Sequence, residues 1–326
     1  MNRARILVGD ALKGLQQLPD GGVRTCVTSP PYWGLRDYGN DGQLGLEATP
    51  QEFVENLCKI FDEVWRVLAD DGTVWVNLGD SYASSSGMKQ NRPQRDNSGG
   101  LVNNRRNSRG EQAWTEGTVV AVEKRFDVKP KDLVGIPWRF AFAMQDRGWY
   151  LRQDIIWAKP NPMPESVTDR CTKSHEYIFL FSKQPRYFFD HEAIQEPAIH
   201  SEDRRAGLGR LNYRGKRQGE DGTGQEAFVS IKDFRNKRSV WNVGVASFKD
   251  AHFAVYPPAL IEPCIKAGSA QGDTVLDPFS GSGTTGEVAL KLGRNYVGCE
   301  LNPDYAKLSE KRITEALGMF AEVEVK

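Results

Sequence analysis

Two short stretches of the chain carry side chains whose types and spacing could do chemistry. In the first, the apolar run Val23-Arg-Thr-Cys-Val-Thr28 stops at Ser29-Pro30-Pro31-Tyr32-Trp33. Prolines fix φ and lack N–H groups, so a strand cannot extend its ladder through them, while their carbonyls remain free to accept. A hydroxyl, a fixed carbonyl and an aromatic face make a receptor for a planar amine. Ser29 and the Pro30 carbonyl can accept its two N–H donors while Tyr32 stacks on the ring. In isolation the same residues also read as a proline-rich turn capped by core aromatics. The second stretch is Thr274-Val-Leu-Asp277-Pro278-Phe279-Ser-Gly281-Ser282-Gly283-Thr284-Thr-Gly286. Its glycines satisfy G-x-G-x-x-G between a strand and a helix, where positive φ and unpaired helix N–H groups suit a nucleotide ligand. Glu300 follows Gly281 by 19 residues and can accept hydrogen bonds from ribose hydroxyls. This turn alone fits a nicotinamide dinucleotide or S-adenosylmethionine. Asp277 ahead of it favours the latter, because it could meet a cationic, amine-bearing ligand.

These residues need a scaffold that brings strand ends together. Short apolar runs alternate with helical periodicity, which predicts an α/β fold. Strands are predicted at 5–8, 23–28, 73–78, 151–157, 177–182, 274–277 and 295–299. Several are nearly all apolar, as expected for strands buried on both faces of a parallel sheet. Helices are predicted at 52–68, 131–147, 258–267, 286–292 and 303–317, with Asp71-Gly72 breaking the chain after the first. Both chemical stretches then fall at strand ends, where doubly wound sheets bind ligands.

The chain has 326 residues, enough for a substantial core, and its 43 Lys and Arg balance 43 Asp and Glu. That zero is a sum of unlike regions. Residues 1–80 hold 7 basic and 12 acidic residues. Residues 84–110 hold Lys89, Arg92, Arg95, Arg105, Arg106 and Arg109 against Asp96, with few large apolar groups, and are expected to form a mobile loop. Residues 204–217 carry Arg204, Arg205, Arg210, Arg214, Lys216 and Arg217 and no acid. Such stretches can meet phosphates. The five cysteines are scattered without a C-x-x-C pair, so neither a zinc knuckle nor a disulfide framework is suggested, and no metal site is expected. The apolar runs are too short to span a bilayer and the N-terminus lacks a signal-peptide pattern, so a cytoplasmic protein is expected.

Ser29-Pro30-Pro31-Tyr32, followed far downstream by Asp277-Pro-Phe-Ser-Gly-Ser-Gly-Thr-Thr, resembles the amino-group DNA methyltransferases, which methylate N4 of cytosine or N6 of adenine. With the tetrapeptide ahead of the glycine turn, the order resembles the permuted β-type arrangement, and most of the chain fits. The resemblance implies a Rossmann-like S-adenosylmethionine-dependent fold: a circularly permuted, mostly parallel seven-stranded sheet with helices on both faces. It implies Ser29, Pro30, Pro31 and Tyr32 as catalytic residues. It implies cofactor contacts from Asp10, Ala11, Thr28, Asp277, Pro278, Phe279, Gly281, Ser282, Gly283, Thr284, Glu300 and Asn302, with Phe253 against the adenine. Leu78-Gly-Asp80-Ser81 resembles the strand end beside the catalytic loop, and Ser174-His175-Glu176-Tyr177 also recurs in the family. Glu176 is expected to face the same cleft.

The catalytic and cofactor-binding domain is then expected at 1–185 and 248–326, with a mobile basic insertion at 84–125. Residues 186–247 are expected to recognise the target. Double-stranded DNA is the expected partner, met by Arg204, Arg205, Arg210, Arg214, Lys216, Arg217, Arg105 and Arg106. A separate cognate restriction endonuclease is a partner the resemblance allows, and relatives include monomers and homodimers. Serine at the first catalytic position leans toward cytosine N4; adenine N6 is the alternative. An RNA or protein-glutamine methyltransferase and a nicotinamide oxidoreductase are remoter readings. Pro263-Cys264 could mimic the cysteine nucleophile of C5 methylation, but it sits within an amphipathic helical pattern and is expected in the core. His175 is expected to be structural.

Overall fold

The computed structural model describes residues 2–34, 42–83, 128–198, 234–245, 256–317 and 321–326. A nine-stranded sheet runs through it. In chain order its strands are β1 (Asn2–Val8), β2 (Val23–Thr28), β3 (Leu68–Leu78), β4 (Tyr150–Ala158), β5 (His175–Ser182), β8 (Val240–Asn242), β9 (Thr274–Asp277), β10 (Asn295–Glu300) and β11 (Ala321–Val325); β6 (Glu196–Pro197) and β7 (Phe234–Arg235) form a separate antiparallel pair. The spatial order is β11-β1-β10-β9-β2-β3-β5-β4-β8. Only β5 runs against the others. All seven predicted strands are present. The expected count of seven is corrected by two edge strands, β8 and β11, each paired on one side only.

Alternate residues of the strands enter two separate cores, because successive strand side chains point to opposite faces. Leu7, Cys26, Val74, Val76, Phe179, Phe181, Leu276 and Cys299 pack into one. Ile6, Val27, Trp75, Ile178, Leu180, Val275 and Tyr296 pack into the other. Helices α1 (Ala11–Leu15), α2 (Pro50–Val67) and α3 (Ile136–Asp146) cover the first face. Helices α4 (Pro258–Gly268), α5 (Thr284–Lys291) and α6 (Pro303–Leu317) cover the second.

Local chemistry sets the helix limits. Thr49 accepts from the Glu52 N–H at 3.1 Å and Pro50 opens α2, whose Phe53, Leu57, Ile60, Phe61 and Val64 make one buried stripe. Asp71-Gly72 does not break the chain: α2 passes directly into β3, and Gly72 lies against the Arg24 carbonyl beside an irregularity in the β2 register. Helix α3 is shorter than predicted. Lys131 has φ 73° and Gly135 φ 78°, so the backbone turns helical only at Ile136. The Asp80 carboxylate at the end of β3 caps α3, accepting from the Gly135 N–H at 2.9 Å and the Ile136 N–H at 3.2 Å.

The described ends of the expected recognition region pack on the sheet, and one short strand joins it. Phe189 lies against Trp75, Ile194 packs in the second core, and β8 buries Trp241. The basic insertion 84–125 and the cations Arg105, Arg106, Arg204, Arg205, Arg210, Arg214, Lys216 and Arg217 lie outside the described residues, as does Phe253. No helix among the described residues is long and apolar enough to cross a membrane.

Candidate active site

The helices leaving β9 and β2 depart to opposite faces of the sheet, so a crevice opens between these neighbouring strands at their C-terminal edge. There a cavity of about 260 Å³ is lined by both predicted stretches. One half is built at the ends of β1, β9 and β10 by Asp10, Ala11, Pro278, Phe279, Gly281, Ser282, Thr284, Glu300 and Asn302. The other half, at the ends of β2, β3, β4 and β5, holds Ser29, Pro30, Pro31, Tyr32, Asn77, Trp157, Lys159 and Glu176. Because β5 is antiparallel, its N-terminal residue Glu176 reaches this same edge.

In the first half the glycines serve different ends. Gly281, with φ 53°, turns toward the cavity, and a Cβ there would meet nothing nearer than the Phe279 carbonyl at 3.9 Å. Gly283, with φ 79°, lies off the cavity wall against α6, where a Cβ would come 2.9 Å from the Ser309 Cα. At Gly286 it would strike Ile313 at 2.6 Å and the Tyr296 ring at 2.7 Å. The Glu300 carboxylate accepts from the Gly281 N–H at 2.7 Å and the Asn302 N–H at 2.9 Å. Burial raises its pKa, and these N–H donors oppose the rise. A carboxylate has about four acceptor positions, so capacity for ribose hydroxyls remains. Asp10 caps α1 through the Lys13 N–H at 3.0 Å.

Asp277 stands elsewhere than expected. It is 1% exposed and off the cavity wall. Its Oδ1 accepts from the Thr28 hydroxyl at 2.6 Å and the Phe279 N–H at 3.0 Å. Its Oδ2 accepts from the Thr285 hydroxyl at 2.6 Å and the Tyr256 hydroxyl at 3.1 Å. Burial raises its pKa against these four hydrogen bonds. Asp277 and Thr28 therefore join β2 to the cofactor turn from beneath, and direct contact of either with a ligand is not what this geometry offers.

In the second half, the backbone around Tyr32 is pinned. Buried Trp33 donates its indole N–H to the Glu47 carbonyl at 3.0 Å, and the Gly34 N–H donates to the Gly45 carbonyl at 2.8 Å. The Tyr32 ring lies on Gly79, where a Cβ would be only 2.5 Å from Cε2. Its hydroxyl donates to the Glu176 carboxylate at 2.7 Å. Burial first, and the adjacent Glu176 charge second, hold this phenol well above its ordinary pKa, opposed by hydrogen bonding from Ser29 and the Gly79 backbone. Tyr32 is thus neutral and oriented. Glu176 also accepts from the Asn77 amide at 3.2 Å and pairs with the Lys159 ammonium. Sequence reasoning missed Asn77 and Lys159. The available signal was a single amide inside the apolar strand Thr-Val-Trp-Val-Asn-Leu, and a lysine just past a strand end.

The remaining candidates behave as core or scaffold. Cys264 is buried, its thiol pKa is pushed up by burial, and it does not line the cavity. His175 packs edge-on to Tyr177, with ring centroids 5.4 Å apart, away from the cavity wall. Among the described residues no cluster of His, Cys, Asp and Glu could hold a metal ion.

The N6/N4 methyltransferase family model, described as DNA methylase, matches residues 23–311, and the chain belongs to that family. It is 48% identical over 305 residues to the type II methyltransferase M.XycI of Xanthomonas campestris pv. cyanopsidis, covering 94% of this chain and 86% of that protein. It is 45% identical over 313 residues to M.Cfr9I of Citrobacter freundii, covering 96% and 88%. The fold matches PvuII DNA methyltransferase (cytosine-N4-specific) with a TM-score of 0.61 at 19% identity, covering 99% of this chain and 95% of the other. It also matches a DNA modification methylase from Thermus thermophilus, complexed with S-adenosyl-L-methionine, with a TM-score of 0.59 at 23% identity, covering 98% and 99%. The protein is a DNA methyltransferase of the N6/N4 family.

Proposed function

We propose that the enzyme methylates the exocyclic N4 of a cytosine flipped out of duplex DNA. The observation that carries this reading is the Ser29–Pro30 strand end on the wall of the cavity that the glycine turn also lines. Serine, rather than aspartate, at the first position of the tetrapeptide supports cytosine. The cofactor half suits S-adenosylmethionine: Gly281 leaves room for close approach, Glu300 retains acceptor capacity, and among the described residues its lining side chains, Asp10 and Glu300 included, contain no Lys or Arg. When bound there, the cofactor supplies an electrophilic methyl group.

The residues of this chain handle the base. An aryl amine is a poor nucleophile because its lone pair is delocalised into the ring. Ser29 Oγ and the Pro30 carbonyl accept its two N–H bonds and favour a tetrahedral nitrogen with an available lone pair. Fixing that nitrogen in place supplies much of the remaining acceleration. Tyr32 stacks on the ring and offsets part of the few kcal/mol lost on unstacking the base. A serine hydroxyl is a weak base at neutral pH, so the nitrogen's proton leaves to solvent.

Mass spectrometry of nucleosides from DNA methylated by the enzyme tests the base assignment. N4-methyldeoxycytidine is expected, and N6-methyldeoxyadenosine in its place would overturn it. Ser29→Ala should abolish turnover while S-adenosylhomocysteine still binds. Residues 186–247 form the target-recognition region in this reading, with 84–110 as a DNA clamp, on the strength of their charge. Deleting residues 88–108 should then lower DNA affinity and flatten its salt dependence. M.XycI and M.Cfr9I are type II methyltransferases, which supports a separate cognate endonuclease as a partner; a cytoplasmic monomer or homodimer completes the reading.

A further inference from the structure

The connection from β4 to β5, residues 159–174, leaves the sheet at the edge that carries the base half of the cavity and returns to that edge. It has no regular secondary structure, yet it is tied down. At its base the Lys159 N–H donates to the Ser174 carbonyl at 2.8 Å. Asn161 Oδ1 accepts from the Val245 N–H at 3.0 Å. Farther along, the Glu165 carboxylate accepts from the Arg170 guanidinium at 2.7 Å and from the Lys173 N–H at 3.2 Å. That guanidinium stands over the Tyr82 ring, 3.8 Å from the centroid. The first six residues are Lys159-Pro-Asn-Pro-Met-Pro164. Each proline fixes its own φ and turns the residue before it away from helical backbone, so this stretch is stiff as well as anchored.

On that stretch Met163 is 87% exposed, more than any other large apolar side chain among the described residues. Single exposed apolar residues are ordinary on protein surfaces. The place of this one is not. Lys159 and Val245 both line the cavity, and Met163 follows by two residues the asparagine that is bonded to Val245. Two residues of chain span at most about 7 Å, so Met163 stands at the rim of the base half. A duplex that delivers a base into that half lies across this rim, and the base leaves an empty slot in its own stack. Methionine is apolar, unbranched and adaptable, and it is one of the side chains with which DNA-bending proteins part base steps. Pro162 and Pro164 have no N–H, so the tip carries few backbone donors toward an apolar stack. We propose that Met163 is a wedge: its side chain enters the stack where the target base departs and keeps the duplex open while the base is in the cavity. The proposal rests on the flipped-base reading, because a base that stays in its helix vacates nothing.

Once the methylated position is mapped, the test uses the full chain and two duplexes. One has the target base paired, and the other sets it opposite an abasic sugar, where leaving the helix costs less. Met163→Ala should slow single-turnover methyl transfer to the paired target on the order of 10-fold, and to the unpaired target by less than about 2-fold. Met163→Leu keeps an apolar side chain of similar volume and should stay near wild type on both. In parallel, 2-aminopurine at the target position brightens when it leaves the stack. At saturating enzyme Met163→Ala should give a smaller rise than wild type. Equal slowing on the two duplexes would overturn the wedge, since it marks the loss of an ordinary DNA contact. So would wild-type rates for Met163→Ala on both. Either result, with a full 2-aminopurine rise in the wild type, leaves the flipped-base reading standing; no rise in the wild type would overturn both. Calorimetric binding of S-adenosylhomocysteine, expected at wild-type strength in both variants because Met163 is exposed, ties the slowing to DNA rather than to folding.

Discussion

Gly79→Ala puts the placement of Tyr32 under direct test. Gly79 is outside the tetrapeptide, yet a Cβ there would meet Tyr32 Cε2 at 2.5 Å, Cδ2 at 3.1 Å and Cζ at 3.2 Å. Non-bonded carbons are most stable about 3.5–4.0 Å apart, so the ring must retreat by about 1 Å. It cannot retreat freely, because its hydroxyl is held 2.7 Å from Glu176 and Trp33 and Gly34 anchor the following backbone. Overpacking of this kind costs about 1–3 kcal/mol of stability. A 1 Å misplacement in a catalytic site costs about 10²-fold in rate. The variant should therefore lose about two orders of magnitude in kcat for tritiated methyl transfer to duplex DNA. Its affinity for S-adenosylhomocysteine should stay near wild type, because the cofactor half is built on β1, β9 and β10. A variant with wild-type kcat would refute the idea that the ring position is set by contact with the β3 end. Equal losses of cofactor affinity and rate would refute the division of the cavity into two halves.

The two positive-φ glycines of the cofactor turn should separate in the same assays. Gly281→Ala should weaken S-adenosylhomocysteine binding and cost about 1 kcal/mol of stability from its positive φ alone, whereas Gly283→Ala, also pressed on Ser309, should cost about 1–3 kcal/mol more and lower Tm further; identical profiles would contradict the roles assigned here. Asp277→Asn keeps an oxygen for the Phe279 N–H but turns an amide toward Tyr256 and Thr285, whose hydroxyls must then accept. It should cost about 1–3 kcal/mol and weaken cofactor binding indirectly, and unchanged Tm and Kd would count against that network. Burial raises the Glu287 pKa, but Lys291 and Arg312 hold it below its ordinary value overall. A depressed carboxylate stabilises above the unfolded-state pKa, and the contribution is lost as pH falls through the folded-state pKa. The Tm gap between wild type and Glu287→Gln should thus be full at neutral pH and shrink below the ordinary glutamate range; a gap that widens on acidification would reverse the sign.

What the sequence made legible was contiguous. Ser29-Pro30-Pro31-Tyr32 and the glycine turn each carry their chemistry within a dozen residues, and the seven apolar strands announce themselves by composition. The edge strands were not legible for a physical reason. Val240–Asn242 is three residues long beside a basic stretch, and Ala321–Val325 sets glutamates between its apolar residues, so neither reads as an apolar run. Asn77, Lys159 and Glu176 come from three strands, so nothing in their spacing joins them; the antiparallel run of β5 does. Asp277 shows the opposite failure. Its type and place suggested a ligand contact, but the neighbouring Thr28, Thr285 and Tyr256 hydroxyls, spread over some 250 residues, absorb both its oxygens.

That carboxylate has a consequence for how the reaction is timed. Through Thr28 it holds the strand that ends in the base-binding tetrapeptide, and through the Phe279 N–H it holds the turn that lines the cofactor half. Donor and acceptor subsites are therefore welded side by side within one sheet, at a separation fixed before either ligand arrives. On the proposed reading, the long movement in the cycle then falls to the substrate base.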